Sequence, residues 1–399
     1  MRVLFVSDVY FPRVNGVSTS INTFRTDLAR CDVETLLVAP RYGAEDCDSE
    51  PGITRVAGAR VPGDPEDRRM RWGELKRTLR QLGSGQRFDV VHVHTPFIAH
   101  YGGTRFARAH GTACVATYHT FFEEYLHHYV PALPRRAGRL LARAFTRSQC
   151  RDVQALIAPS EPMRAILHEY GVTTPIHVVP TGLPQSCFTP GDGGRFRASL
   201  GVAADRPLVL YVGRVAHEKN IGFLVEAFAR VRAALPAALL VIAGEGPARA
   251  ALTELVAARA LAEHVRFVGY LDRERALLDC YAAADVFVFA SRTETQGLVL
   301  LEAMAQGAPL VSTAELGAGS ILTPASGAVV VPESLEPFAA AVVRVLGDAA
   351  LRATLAARGR LYAQSWSSLA MAQRLAGLYG ELSARGTASA GVPAGAPGG

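Results

Sequence analysis

Two carboxylates, two cations and a glycine carry most of the chemistry this sequence can do. Glu294 and Glu302 stand eight residues apart in the stretch ASRTETQGLVLLEAMAQG, residues 290–307. Residues 284–290, just upstream, are apolar apart from Asp285 and rich in Val and Phe, which predicts a buried parallel strand. Residues 297–306 carry Leu298, Leu301 and Ala305 at helical spacing and end at Gly307, which predicts a helix with a glycine C-cap. Glu294 then falls in a loop at a strand's carboxyl end, where open α/β sheets bind ligands. A helix start beside Gly297 offers free N–H groups and partial positive charge to a phosphate. A carboxylate before that helix suits sugar hydroxyls, and Glu302, about two turns in, reaches a ribose diol. Arg214 and Lys219 follow the apolar run 208–212 and precede another expected helix start near Asn220. Two cations at that point suit a diphosphate. An isolated pair of glutamates at this spacing is more often surface charge, so the rest of the chain has to decide.

The elements that would position these groups alternate strand and helix. Strands are expected at 2–7, 33–39, 90–94, 113–118, 155–158 and 177–179, with a helix over 16–30, and a second series starts at 208. The fold class is therefore α/β, two doubly wound parallel-sheet domains facing across a cleft. The boundaries expected are 1–185 and 186–364, with a helix at 365–382 returning to the first domain and a disordered Gly/Ala/Pro-rich tail at 384–399. At 399 residues, 49% hydrophobic and 20% charged, the chain is long enough for two cores. No apolar run reaches membrane-spanning length, and the first strand begins at once, so neither a transmembrane helix nor a signal peptide is expected. Six cysteines without metal-finger spacing fit free thiols in a reducing cytoplasm. The net charge of +6, mostly on the first half, suits an anionic surface and is too weak to indicate nucleic acid. The loop YFPRVNGVS is no dinucleotide fingerprint. Gly16 in it either lets a phosphate or acceptor approach the backbone or serves only the turn.

The stretch TETQGLVLLEAMAQGAPLV closely resembles the signature of glycosyltransferase family 4, the retaining nucleotide-sugar transferases of GT-B architecture. Gly213-Arg214 followed by Lys219 matches that family's pyrophosphate-binding pair, and Thr117-Tyr118-His119-Thr120 its T-x-H-T strand end. The resemblance implies that Glu294 contacts the transferred sugar, Glu302 the ribose and His119 the donor sugar from across the cleft. It implies that Gly16 and the turn at Gly244 face the donor, and that backbone from Val268 to Leu271 holds the base edge. The backbone at Gly297, Leu298 and Val299 would join Arg214 and Lys219 on the diphosphate. Residues 179–184 look like the family's hinge. Many members have Phe before the motif glycine, where this chain has Gln296, a departure that bears on sugar specificity. The implied activity is retaining transfer of a hexose, from UDP-glucose or GDP-mannose, by a front-face route without a metal or other cofactor. No metal-binding D-x-D lies near these residues. The alternatives are transfer to a soluble saccharide, or a related epimerase or phosphorylase.

The acceptor is expected to be a membrane lipid or a glycan. Arg135, Arg136, Arg139, Arg143, Arg147 and Arg151 recur at three- and four-residue steps among Leu140, Leu141, Ala144 and Phe145. That pattern predicts a helix with one basic and one apolar face. It is either a core-packed helix with a solvated arginine side or one that docks on anionic headgroups. The aromatic segment 121–130 before it resembles the diacylglycerol glucosyltransferase branch. A cytoplasmic enzyme of glycolipid biosynthesis, peripheral on the inner face of the cell membrane, is the localisation this implies. His92 and His94 share a strand face, but with no third ligand a zinc site is rejected.

Overall fold

The computed structural model describes residues 1–43, 51–61, 64–119, 135–313 and 316–390. Strands β1 (Arg2–Val6), β2 (Glu34–Pro40), β3 (Ile53–Val56), β6 (Val90–Val93), β7 (Ala113–Thr117), β8 (Ala155–Ala158) and β9 (Ile176–Val178) form one sheet in the order β3-β2-β1-β6-β7-β8-β9. Strands β4 (Gly58–Val61) and β5 (Asp64–Met70) make a separate antiparallel pair. The second sheet contains β10 (Leu208–Val212), β11 (Leu239–Ala243), β12 (Val265–Gly269), β13 (Val286–Phe289), β14 (Leu310–Ser312) and β15 (Val329–Val330) in the order β12-β11-β10-β13-β14-β15. Every pairing in the two large sheets is parallel. The central strands β10, β11 and β13 are buried along their whole length, which is why they read as unbroken apolar runs.

In each sheet the strand order reverses once, between β1 and β6 and between β10 and β13. Those switch points open crevices at the strands' carboxyl ends. Arg214 follows β10 and Glu294 follows β13, so the two sequence signals flank the second switch point.

The terminal helix Ser368–Ala390 belongs spatially to the first domain. Ala372, Leu375, Leu378, Tyr379 and Leu382 are buried there with Phe5, Ile21 and Leu28. Each such leucine contributes about 2 kcal/mol by leaving water. The chain thus crosses between domains twice, and the crossings touch: Leu183 N donates to Trp366 O at 2.7 Å and Ser368 N to Leu183 O at 3.1 Å. A Cβ on Gly182 would lie 2.5 Å from the Ser368 backbone, so only glycine lets the strands meet this closely.

The tail differs from expectation. Residues 384–390 are helical, because alanines carry the helix on until Gly391 and Pro393 follow. Residues 391–399 lie outside the described residues, as do 120–134, which hold the aromatic segment. No helix among the described residues is long and apolar enough to cross a membrane.

Candidate active site

A cavity of about 310 Å³ lies between the domains, and the sequence-selected residues His119, Arg214, Lys219, Glu294, Gly16, Gly244, Gly297, Leu298, Val299 and Glu302 all line it. After β10 the chain passes Gly213 and Arg214 into a short turn, His217–Lys219, and then the helix Ile221–Ala234. Asn220 between them is left-handed, and its Nδ2 donates to Ala290 O at 3.2 Å, tying this loop to the end of β13. The cations do not stand alone. Lys219 Nζ lies 2.7 Å from Glu294 Oε1, and Arg214 Nη1 lies 3.6 Å from Glu218 Oε1. All four side chains are mostly buried. Gly244 ends β11 against this loop. A Cβ there would fall 2.0 Å from Gly213 O, so close backbone approach explains that glycine.

The motif loop after β13 turns through Gly297, which is left-handed at φ 95°, into the helix Leu298–Ala305. Leu298 and Val299, whose N–H groups have no acceptor within the helix, sit at the cavity wall, while Leu300 N donates to Gly297 O at 3.0 Å. Glu302 is buried, with Tyr281 OH donating to its Oε2 at 2.9 Å and Arg273 paired with Oε1.

The first domain supplies the facing wall. Gly16 starts the helix Gly16–Ala29 after Asn15, whose side chain caps Ser18 N. A Cβ on Gly16 would meet nothing within 4 Å, and its φ is not in the left-handed range. The turn therefore does not require glycine, and open space beside the backbone is what Gly16 provides. His119 ends a buried histidine column. Its Nε2 lies 3.4 Å from His94 Nδ1, while His92 bonds Tyr379 OH at 2.5 Å and Thr117 Oγ1 at 2.7 Å. Burial pushes His119 down to about 4 and holds His92 and His94 well below the usual histidine range, so all three are neutral near pH 7. His94 Nε2 is buried without a partner. A bare acceptor there costs less than a bare N–H, which assigns the proton to His94 Nδ1 and makes His119 Nε2 the acceptor. Beside this column Asp8 caps the helix Ile98–His110 through Ala99 N at 3.1 Å and accepts from Thr95 Oγ1 at 2.8 Å; burial lifts its carboxyl to about 6.

The two walls are joined across the cleft. Ser160 Oγ donates to Thr295 O at 2.7 Å and Thr295 Oγ1 to His119 O at 3.2 Å. Arg13 Nη1 donates to Tyr270 OH at 2.9 Å. Gln296 is clamped on Thr181, accepting from its N–H at 2.8 Å and donating to its carbonyl at 2.6 Å, and Thr181 Oγ1 bonds Ser20 Oγ at 2.6 Å.

This arrangement has relatives. Residues 14–186 match the family model described as Glycosyltransferase Family 4, and residues 194–362 the one described as Glycosyl transferases group 1. The alpha-monoglucosyldiacylglycerol synthase of Streptococcus pneumoniae is 30% identical over 324 residues, covering 78% of this chain and 71% of that protein. The chain belongs to glycosyltransferase family 4. A GDP-mannose-dependent alpha-mannosyltransferase of Mycobacterium tuberculosis is 29% identical over 401 residues, 98% of this chain and 99% of that one. Among solved structures, sucrose-phosphate synthase from Thermosynechococcus elongatus superposes with a TM-score of 0.80 over 96% of this chain and 99% of its own, at 24% identity. The fold is GT-B, and the protein is a nucleotide-sugar hexosyltransferase.

Of the segment Val268 to Leu271 in this glycosyltransferase, Gly269, Tyr270 and Leu271 line the cavity, while Val268 packs against the second domain's core. The arginine-bearing helix, Arg135–Cys150, does not bury Leu140 and Leu141, which are 70% and 57% exposed. Its buried side is Gly138, Ala142, Thr146, Gln149 and Cys150, small or polar residues. Arg143 lies 4.9 Å over the Tyr170 ring, so not every arginine is on the solvated side. Sequence reading also missed the partners of the site. Arg273 and Tyr281 hold Glu302, and Thr295 and Gln296 bridge the domains, yet each pairing spans distant segments and leaves no local pattern.

Proposed function

We propose that this family 4 enzyme transfers a hexose, with retention and without a metal, from UDP-glucose or GDP-mannose to a membrane lipid. The carrying observation is the convergence of Arg214, Lys219 and the helix start at Gly297 on one cavity wall, with Glu294 and Glu302 beside them and neutral His119 opposite. As the bond from the sugar's anomeric carbon to the diphosphate breaks, charge collects on the leaving oxygen. Arg214, Lys219 and the N–H groups of Leu298 and Val299 would stabilise it, a role a metal fills elsewhere. The acceptor hydroxyl would attack from the same face and give its proton to the departing phosphate. Glu294 would bind sugar hydroxyls and Glu302 the ribose, with Arg273 and Tyr281 fixing its orientation. His119, held neutral, would hydrogen-bond the sugar without adding charge.

The lipid acceptor draws on the names of the diacylglycerol-glucosylating relatives. It also draws on the exposed pair Leu140 and Leu141 beside Arg139 and Arg147, the composition of a helix that rests on headgroups. The deciding assay offers UDP-glucose and GDP-mannose with diacylglycerol, phosphoinositide and soluble sugars, in EDTA. An α-linked glycolipid is the expected product. A β-linked product would reject retention, a soluble glycoside would reject the lipid acceptor, and activity only with added metal would reject the metal-free clamp.

A further inference from the structure

The Lys219–Glu294 contact has a consequence for which ligand the cleft prefers. Lys219 Nζ and Glu294 Oε1 are 2.7 Å apart, each side chain is under 20% exposed, and both line the donor cavity. A diphosphate that engages Lys219 must take it from Glu294. The carboxylate is then left in a water-poor wall with its strongest donor gone, which is costly unless other donors replace it. Among the described residues no second cation is paired with it: Arg214 pairs with Glu218, Arg273 with Glu302 and Arg292 with Glu333. Hydroxyl groups arriving beside the diphosphate would supply the missing donors.

We propose that Glu294 acts as an exchangeable counter-ion for Lys219, so that the site binds a sugar nucleotide in preference to the bare nucleoside diphosphate left after transfer. The intact donor brings both halves of the exchange: phosphate oxygens for the ammonium and sugar hydroxyls for the carboxylate. The product brings only the first. The ion pair re-forms as the sugar leaves, and its return to Lys219 drives the diphosphate out. Glu294 is thus a specificity-determining residue against product as well as a contact for the sugar. The inference rests on the sugar-nucleotide reading given above.

Calorimetric titration of the full chain separates the two. UDP, GDP, UDP-glucose and GDP-mannose are titrated without acceptor into wild type, Glu294→Gln, Lys219→Ala and the double variant, with thermal melting confirming that each is folded. Glu294→Gln removes the competing charge and keeps the shape. It is expected to bind the preferred bare nucleoside diphosphate at least about tenfold more tightly than wild type, the scale of one charge-assisted hydrogen bond. The same change should erase the preference for the intact donor. In the Lys219→Ala background, Glu294→Gln should give no gain. If wild type binds the nucleotides but Glu294→Gln leaves the diphosphate affinity unchanged or weaker, the exchange is overturned and the transferase reading stands. A gain of the same size without Lys219 also overturns it, because the effect would then not pass through the pair. Binding of none of the four ligands by wild type would overturn the sugar-nucleotide reading and the exchange together.

Discussion

Lys219 reaches the cavity from a turn that Asn220 pins to β13, so its ammonium is held in place before any ligand arrives. Its removal should be felt mainly in the transition state, where the leaving phosphate gains charge. Lys219→Ala is expected to lower kcat by about 10²–10³-fold, a loss of about 3–4 kcal/mol, comparable to deleting one oxyanion donor. Steady-state kinetics with saturating donor checks this, and a kcat within a factor of three of wild type would remove Lys219 from the clamp. Glu302 calls for a different readout, because it sits behind the helix start among Arg273 and Tyr281. Its alanine variant strands the Arg273 charge as well as losing the proposed ribose contact. Nucleotide affinity, measured by titration, should therefore fall by more than one lost hydrogen bond's roughly tenfold. Affinity equal to wild type would discard the ribose role.

At the scale of elements, the histidine column couples the site to the solution's acidity. The folded state holds His92, His94 and His119 below the ordinary histidine value near 6.5, so the unfolded chain binds more protons as the pH falls. Stability should therefore decline as pH drops from about 6.5 toward 4. Asp8 acts in the opposite sense: its folded value near 6 favours the folded state at the acid end of the same window. His100 is held low by burial as well, so four histidines oppose one carboxyl; the net trend is acid destabilisation, and Asp8→Asn should make it steeper. Urea midpoints between pH 4 and 7 test both signs; a flat profile in wild type would contradict the buried neutral column. These histidines show where sequence reading reaches its limit. The strands that carry them were legible from apolar runs, the shared face of His92 and His94 from their spacing, and His119 from the T-x-H-T likeness, but the bond from His92 to Tyr379 joins segments nearly three hundred residues apart. The pair β4 and β5 was missed for a related reason: residues such as Glu66, Asp67, Arg68 and Arg69 carry no apolar alternation. For the Arg135–Cys150 helix the periodicity gave the helix but left its inward face open, and the exposed Leu140 and Leu141 count against a core packed by those leucines. Replacing Leu140 and Leu141 with serine should abolish flotation with anionic liposomes while leaving the melting temperature near wild type. Unchanged flotation would assign binding to another surface.

For the molecule as a whole, what matters is how the halves are held together. Gln296, Thr181 and Ser20 form a chain of buried hydrogen bonds from the donor loop to the first helix of the opposite domain. Gln296→Leu would leave the backbone N–H and carbonyl of Thr181 without Gln296, at a cost of about 1–3 kcal/mol each. The expected result is a larger radius of gyration in solution scattering and a lower kcat, with nucleotide affinity kept within about twofold because the residues proposed to hold the diphosphate all lie in the second domain. Unchanged scattering and turnover would show that other bridges suffice. The double crossing at Leu183 and Ser368 bears on how the chain is made. The first domain is first in sequence, yet part of its core, Leu375, Tyr379 and Leu382, is encoded after the whole second domain. Domains tend to fold as they leave the ribosome, from the N-terminus onward. Here the second domain, continuous in sequence, is complete earlier, and the first waits with an uncovered apolar face until residues 368–382 have been made. Nascent chains arrested before residue 368 should therefore yield a protease-resistant second domain and a digestible first, which makes this half of the enzyme the one that depends on chaperones during synthesis.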